Sequence, residues 1–226
     1  GQSPLHVTAV IRKTVSLKIL LESKANPLSC DNTGCCALHD VCNRGYDAIL
    51  EILLPYCKMV NVQDNNGITP ISHACIAKQA ECVRKLILVH ADMEISDNNG
   101  LTALHHCVLS KDLASARLLI EAFANVDCLD INVESPLHIA CREGNVDMVK
   151  LLLGSGANWG IRNWRGNYPI HIAAKQGHAE VLRTLISYEV EINSLNYDGR
   201  TALGEARLVP HHDIIAIFDE NYMLES

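Results

Sequence analysis

Ser135-Pro136-Leu137-His138-Ile139-Ala140 is the stretch on which the reading of this chain turns. The serine hydroxyl can accept an orphan backbone N–H at a helix start, and proline in the next position has no amide donor to lose there. The same pattern returns every 33 residues: Pro4-Leu5-His6, Ala37-Leu38-His39, Pro70-Ile71-Ser72, Ala103-Leu104-His105, Pro169-Ile170-His171 and Ala202-Leu203-Gly204. Glycines 34, 67, 100, 166 and 199 keep the same period, just ahead of it. A fixed period of this length means units that bury their apolar faces against neighbours, which excludes one closed core.

The unit containing that stretch continues with Gly144-Asn145, Val149-Lys150-Leu151-Leu152-Leu153 and Gly156-Ala157-Asn158, and Thr69-Pro70-Ile71 repeats its opening. With a T-P-L-H-x-A signature on a 33-residue clock, the chain resembles the ankyrin-repeat family. The resemblance implies an all-α solenoid of about seven helix-turn-helix units with projecting hairpin loops. It also implies one domain over 1–226, with units at 1–30, 31–63, 64–96, 97–129, 130–162, 163–195 and a capping unit at 196–226. In such arrays partners lie on the concave face formed by loop tips and first helices.

Composition agrees. Of the 226 residues 48% are hydrophobic but only 4% aromatic, which suits small helices stacked through Leu, Ile, Val and Ala. A net charge of −7 argues against a phosphate-binding surface and so against nucleic acid as a partner. No apolar run approaches the roughly 18 to 20 residues that span a bilayer, and no basic-then-apolar leader opens the chain. A soluble protein, monomeric by itself and cytoplasmic or alternatively nuclear, is expected. The opening of the first unit at its glycine slot, Gly1, reads as a segment cut from a longer chain.

Departures from the repeat carry local expectations. Ser3, Thr69, Thr102, Ser135 and Thr201 fill the capping slot, whereas Cys36 and Tyr168 predict weaker helix starts. Gly45, Gly144 and Gly177 can close the first helix in a left-handed cap; Arg12, Lys78, Lys111 and Pro210 in that slot predict distorted ends. Val133 replaces the turn glycine, and a β-branched side chain resists positive φ, so the turn Asp130-Ile131-Asn132-Val133 should differ in shape. The last unit is expected to lose its helical pattern at Pro210-His211-His212 and to trail into a polar cap at Asp219-Glu220-Asn221-Tyr222.

Ten cysteines invite a metal or redox reading, densest at Cys30, Cys35, Cys36, His39 and Cys42. The repeat argues otherwise. Cys42, Cys75 and Cys141 share a slot with Val108 and Ala174, as small buried hydrophobes do. His39 is one of a series better read as hydrogen-bonding between neighbouring loops. No C-x-x-C pair exists, so neither a metal nor a cofactor is expected, and the thiols should be reduced, Cys35 being the exposed one. His105-His106-Cys107 and His211-His212-Asp213 offer catalytic residue types, but neighbours on a helix point in different directions. No nucleotide or hydrolase motif appears, so no catalytic residue and no enzyme is expected.

Function then rests on positions that vary while the framework repeats. Near the turn tips these include Asn98, Asn99, Ile131, Trp164, Arg165, Tyr197 and Asp198, and near the first-helix ends Leu109, Arg142, Glu143, Lys175 and Gln176. Trp164 and Tyr197 stand 33 apart on successive tips, with Arg165 beside the tryptophan, and these are the residue types enriched in binding hot spots. Trp159 falls in an apolar slot and reads as packing. With Arg44, the cations Arg142, Arg165 and Lys175 would suit an acidic or mixed extended peptide. The leading expectation is a non-catalytic adaptor or scaffold module that binds a protein or peptide on its concave face. One alternative is the regulatory or substrate-recruiting region of a larger enzyme, ubiquitin ligase or channel. Another is a methyl-lysine reader caged by Trp159, Trp164, Tyr168 and Tyr197.

Overall fold

The computed structural model describes residues 1–209 and 211–224, with side chains through residue 220. Its contacts group the chain into two compact units, Gly1–Asn125 and Val126–Ser226. The first unit runs α1 (Pro4–Val10), α2 (Thr14–Glu22), α3 (Ala37–Arg44), α4 (Asp47–Leu53, continued by one 3-10 turn, Leu54–Tyr56), α5 (Pro70–Ile76), α6 (Ala80–Leu88), α7 (Ala103–Ser110) and α8 (Leu113–Glu121). The second runs α9 (Pro136–Arg142), α10 (Val146–Gly154), α11 (Pro169–Gln176), α12 (Ala179–Ser187), α13 (Ala202–Leu208) and α14 (His212–Leu224). Among the described residues there is no strand; the projecting loops are tight turns.

Each repeat supplies two antiparallel helices. Within the first unit, α1, α3, α5 and α7 pack side by side, and so do α2, α4, α6 and α8; within the second, α9, α11 and α13 form one row and α10, α12 and α14 the other. The core lies between the rows. Leu38, Leu50, Leu53 and Leu86 fill it in the first unit, and Leu137, Leu152, Ile170, Leu182 and Phe218 in the second. Cys42, Cys75 and Cys141 are fully enclosed as small apolar side chains, and burial holds the Cys141 thiol far above its usual range.

The recurring histidine explains why four of the first helices start where they do. In α1, α3, α7 and α9 the third helical residue is His6, His39, His105 or His138, and its Nδ1 accepts the N-cap N–H at 3.1–3.2 Å. That leaves the proton on Nε2, which donates to the following loop: His6 to the Cys35 carbonyl at 2.9 Å, His39 to Val62 at 2.9 Å, His138 to Asn167 at 3.1 Å. One imidazole thus caps its own helix and ties it to the next repeat. Burial, with His73 nearby, pushes His39 down to about 4, so the ring is neutral in the folded protein. Helices α3 and α11 start in register despite their Cys36 and Tyr168 caps. Cys36 keeps the histidine bond, whereas His171 behind Tyr168 has its Nδ1 buried without a partner.

Four expectations need correction. Arg12, Lys78 and Lys111 do not distort their helix ends: they adopt the left-handed conformation themselves, at φ 59°, 57° and 58°. Pro210, the fourth such position, lies outside the described residues. Val133 likewise takes φ 56°, and its turn keeps the standard bonds, Val133 N–H to the Asp130 carbonyl at 3.0 Å and Glu134 N–H to Asp130 Oδ1 at 2.8 Å. Stacking against neighbours overrides a local cost of about 1–2 kcal/mol. The seventh repeat does not trail away after His211. It forms α14, with Ile214, Ile217 and Phe218 buried along one side. Finally, Cys30 is exposed while Cys35 is half-buried, the reverse of the expected emphasis.

Candidate interaction surface

The second unit carries a groove of about 280 Å³ between the turn tips at 132–134 and 163–167 and the ends of α9 and α11. Its walls include five of the sequence-derived candidates, Arg142, Trp164, Arg165, Lys175 and Gln176. Trp164 is 56% exposed, an unusual state for so large an apolar ring, and the Arg165 guanidinium lies 4.5 Å over it. The Trp164 backbone N–H donates to the Asn132 carbonyl at 3.1 Å, so the tip that presents the ring is tied to the preceding one.

Beneath the tips lies a buried polar layer that the sequence reading missed. Glu134, only 6% exposed, is paired with Arg142 and accepts from Asn163 Nδ2 at 3.1 Å. Asn163 Oδ1 in turn accepts the N–H groups of Arg165 and Asn167 at 3.1 and 3.0 Å, which shapes the tryptophan-bearing turn. One repeat on, Asn196 Nδ2 gives one proton to Asn167 Oδ1 at 2.8 Å and the other to Glu205 Oε1 at 3.0 Å. Lys175 lies 3.3 Å from the other Glu205 oxygen, and Arg200 Nη1 3.3 Å from Oε1. Burial pushes Glu205 up, but the Asn196 hydrogen bond, the Lys175 charge and Arg200 outweigh it and hold the carboxyl below its ordinary range. The signal for this layer was present in the sequence: the turn-opening slot holds Asp at 31, 64, 97 and 130 but Asn at 163 and 196. Of the two residue types in this slot, only asparagine can accept the turn N–H groups and also donate to a carboxylate, since an ionised aspartate has no proton to give.

These contacts change the electrostatics expected of the surface. Arg142 and Lys175 are neutralised by Glu134 and Glu205, whereas Arg165 has no carboxylate partner among the described residues. Tyr197 and Asp198 sit on the next tip, Tyr197 67% exposed and Asp198 paired with Arg200 at 3.2 Å. Glu143 caps the end of α9. Ile131 is exposed but outside the groove walls. Leu109, Asn98 and Asn99 belong to the first unit. There Asn98 Nδ2 donates to the Asn65 carbonyl at 3.1 Å and its N–H to that of Asn66 at 2.9 Å, so this asparagine builds the turn ladder, and Asn99 donates its N–H to Asp97 Oδ1 at 2.8 Å. Trp159 is half-buried.

The aromatic cage is taken up by the chain's own cations. Arg162 lies 4.9 Å over Tyr168 and 5.9 Å from the Tyr197 ring centre, and its Nε donates to the Tyr168 hydroxyl at 2.6 Å. The catalytic residue types are likewise spent on structure. His105 caps α7, His106 faces Asp97 at 3.3 Å, Cys107 is core, and His211 Nε2 donates to the Lys175 carbonyl at 3.1 Å. The dense cysteine cluster is dispersed: Cys36 caps α3 against His39, Cys42 is core, Cys30 is at the surface, and Cys35 stands beside Asp64 and His73.

Three comparisons with known proteins bear on this arrangement. A family model described as "Ankyrin repeats (3 copies)" matches residues 41–132, 78–163 and 137–218. The chicken (Gallus gallus) nuclear factor NF-kappa-B p105 subunit is 30% identical over 95 residues, covering 41% of this chain and 10% of that protein. Among solved structures, the ankyrin repeat domain of Bcl-3, described as a unique member of the IkappaB protein family, superposes with a TM-score of 0.85 at 27% identity, over 96% of this chain and 99% of that one. The human ASB11 ankyrin repeat domain gives 0.82 at 28% identity, over 95% and 97%. No helix among the described residues is long and apolar enough to cross a membrane.

Proposed function

The chain belongs to the ankyrin-repeat family, and from that premise we propose that it is a protein-interaction module whose second unit captures an extended, acidic or mixed segment of a protein partner in the Trp164–Arg165 groove. Ankyrin repeats are generally protein-protein interaction modules and typically non-catalytic. The observation that carries the reading is the pair itself: an exposed tryptophan held on a tied turn, with a guanidinium over its face that has no carboxylate partner among the described residues. Burial of that pair by a partner removes a large apolar ring from water and gives Arg165 a charge-assisted hydrogen bond. Arg142 and Lys175, already paired, position the wall and leave Arg165 to select for negative charge.

Immobilised extended peptides of graded charge, probed with the intact chain and with a Trp164→Ala/Arg165→Ala variant, test this directly. Acid-biased binding that disappears in the variant while helical circular dichroism is retained is the expected result. Binding indifferent to charge, or undiminished in the variant, rejects the groove.

A second reading keeps the same surface but makes it the recruiting region of a larger protein. It is favoured by the p105 relative, of which this chain spans only 10%.

A further inference from the structure

In the first unit three side chains from two successive repeats converge at one point outside the groove. Cys35 follows a turn glycine, Asp64 opens the next turn, and His73 stands on α5 nine positions further on. Asp64 commits Oδ1 to the N–H groups of Asn66 and Ile68, both at 2.9 Å, so its orientation is fixed by backbone. Its Oδ2 then faces His73 Nε2 at 3.1 Å and Cys35 Sγ at 3.8 Å, and the three donor atoms all lie within 4.8 Å of one another.

We propose that Cys35, Asp64 and His73 form a binding site for a divalent transition metal ion of zinc-like character, with a water in the fourth position. The geometry supports it quantitatively. Bonds of about 2.3 Å to sulfur and about 2.1 Å to nitrogen or oxygen at tetrahedral angles put sulfur and oxygen about 3.6 Å apart, and nitrogen and oxygen about 3.4 Å apart. The corresponding separations here are 3.8 and 3.1 Å. The sulfur–nitrogen edge, within 4.8 Å here, would close toward about 3.6 Å by rotation about the Cys35 side chain. One thiolate, one imidazole and one carboxylate form a borderline set that suits zinc over calcium or magnesium.

The environment favours a cation at this point. Burial pushes the Cys35 thiol up, and the charges of Asp64, Asp31 and Asp40 add to it, while Thr33 opposes. The same carboxylates attract a divalent ion, which would displace the thiol proton on binding. Asp40 also has its Oδ2 buried without a hydrogen-bond partner. The repeat provides an internal contrast. Asp97 and His106 make the equivalent pair at 3.3 Å one repeat on, but Ile68 occupies the slot of Cys35. The Asp–His pair therefore recurs without a thiol in the next repeat, and the thiol is what this junction adds.

Titration of the reduced full chain with Co²⁺, read by its thiolate-to-metal charge-transfer absorption and then displaced by Zn²⁺, tests the site. One equivalent bound per chain, with affinity lowered more than ~100-fold in Cys35→Ser and in His73→Gln but unchanged in Cys30→Ser and His106→Gln, is expected. Absence of the sulfur band, binding that survives Cys35→Ser, or equal loss in His106→Gln overturns it. Circular dichroism of each variant separates loss of a ligand from loss of fold.

Discussion

Asn163 donates its side-chain amide to the buried Glu134 carboxylate at 3.1 Å while its oxygen organises the turn that carries Trp164. The pair couples a turn to the repeat before it, and it dictates asparagine where four other repeats have aspartate. Asn163→Asp would set two carboxylates against each other in a buried layer. A destabilisation of about 1–3 kcal/mol at neutral pH is expected, largely reversed in combination with Glu134→Gln, as read by urea denaturation.

Val133 is 39% exposed and sits at φ 56°, so its own side chain gains little burial to offset the strain that its stacked neighbours impose. Val133→Gly should raise stability by about 1 kcal/mol, because relief of left-handed strain exceeds the added freedom of the unfolded chain. The melting temperature of the variant checks it.

The buried neutral histidines make the fold acid-sensitive. Burial lowers His39 to about 4 and shifts His138 and His171 in the same direction. A histidine whose folded pKa lies below its unfolded value binds more protons when unfolded, so its stabilisation is complete above about pH 6.5 and is lost as pH falls toward the folded value. Glu205, also lowered, adds a loss of the same sign below about pH 4.5. Denaturation midpoints measured from pH 7.5 to 4.5 should decline steadily; a flat profile would contradict the neutral imidazoles.

Thiol reactivity should follow burial. Cys30 is exposed, Cys35 half-buried with a raised pKa, and the other cysteines are buried. Maleimide labelling of the native chain, followed by peptide mapping, should modify Cys30 first, Cys35 slowly and the rest only in denaturant.

Much of this was written in the chain. The capping serines and threonines, the histidine at the third helical position and the turn-opening aspartates mark the starts of α1, α7 and α9, because each acts through bonds spanning a few residues. Left-handed conformation at Arg12, Lys111 and Val133 was not legible, because their own side chains disfavour it and only the packed neighbours enforce it. The candidate surface divides the same way. Exposure of Trp164 and its place beside Arg165 follow from the repeat register, whereas neutralisation of Arg142 by Glu134 and of Lys175 by Glu205 depends on how turns and helices of the folded unit meet.

The period, the helix starts and the choice of variable positions were determined by sequence alone, since they depend on spacing and on short-range hydrogen bonds. Which cations stay available, and which thiol meets a carboxylate and an imidazole, was decided by tertiary structure: Cys35 belongs to the repeat before Asp64 and His73, and only stacking brings the three donor atoms within 4.8 Å.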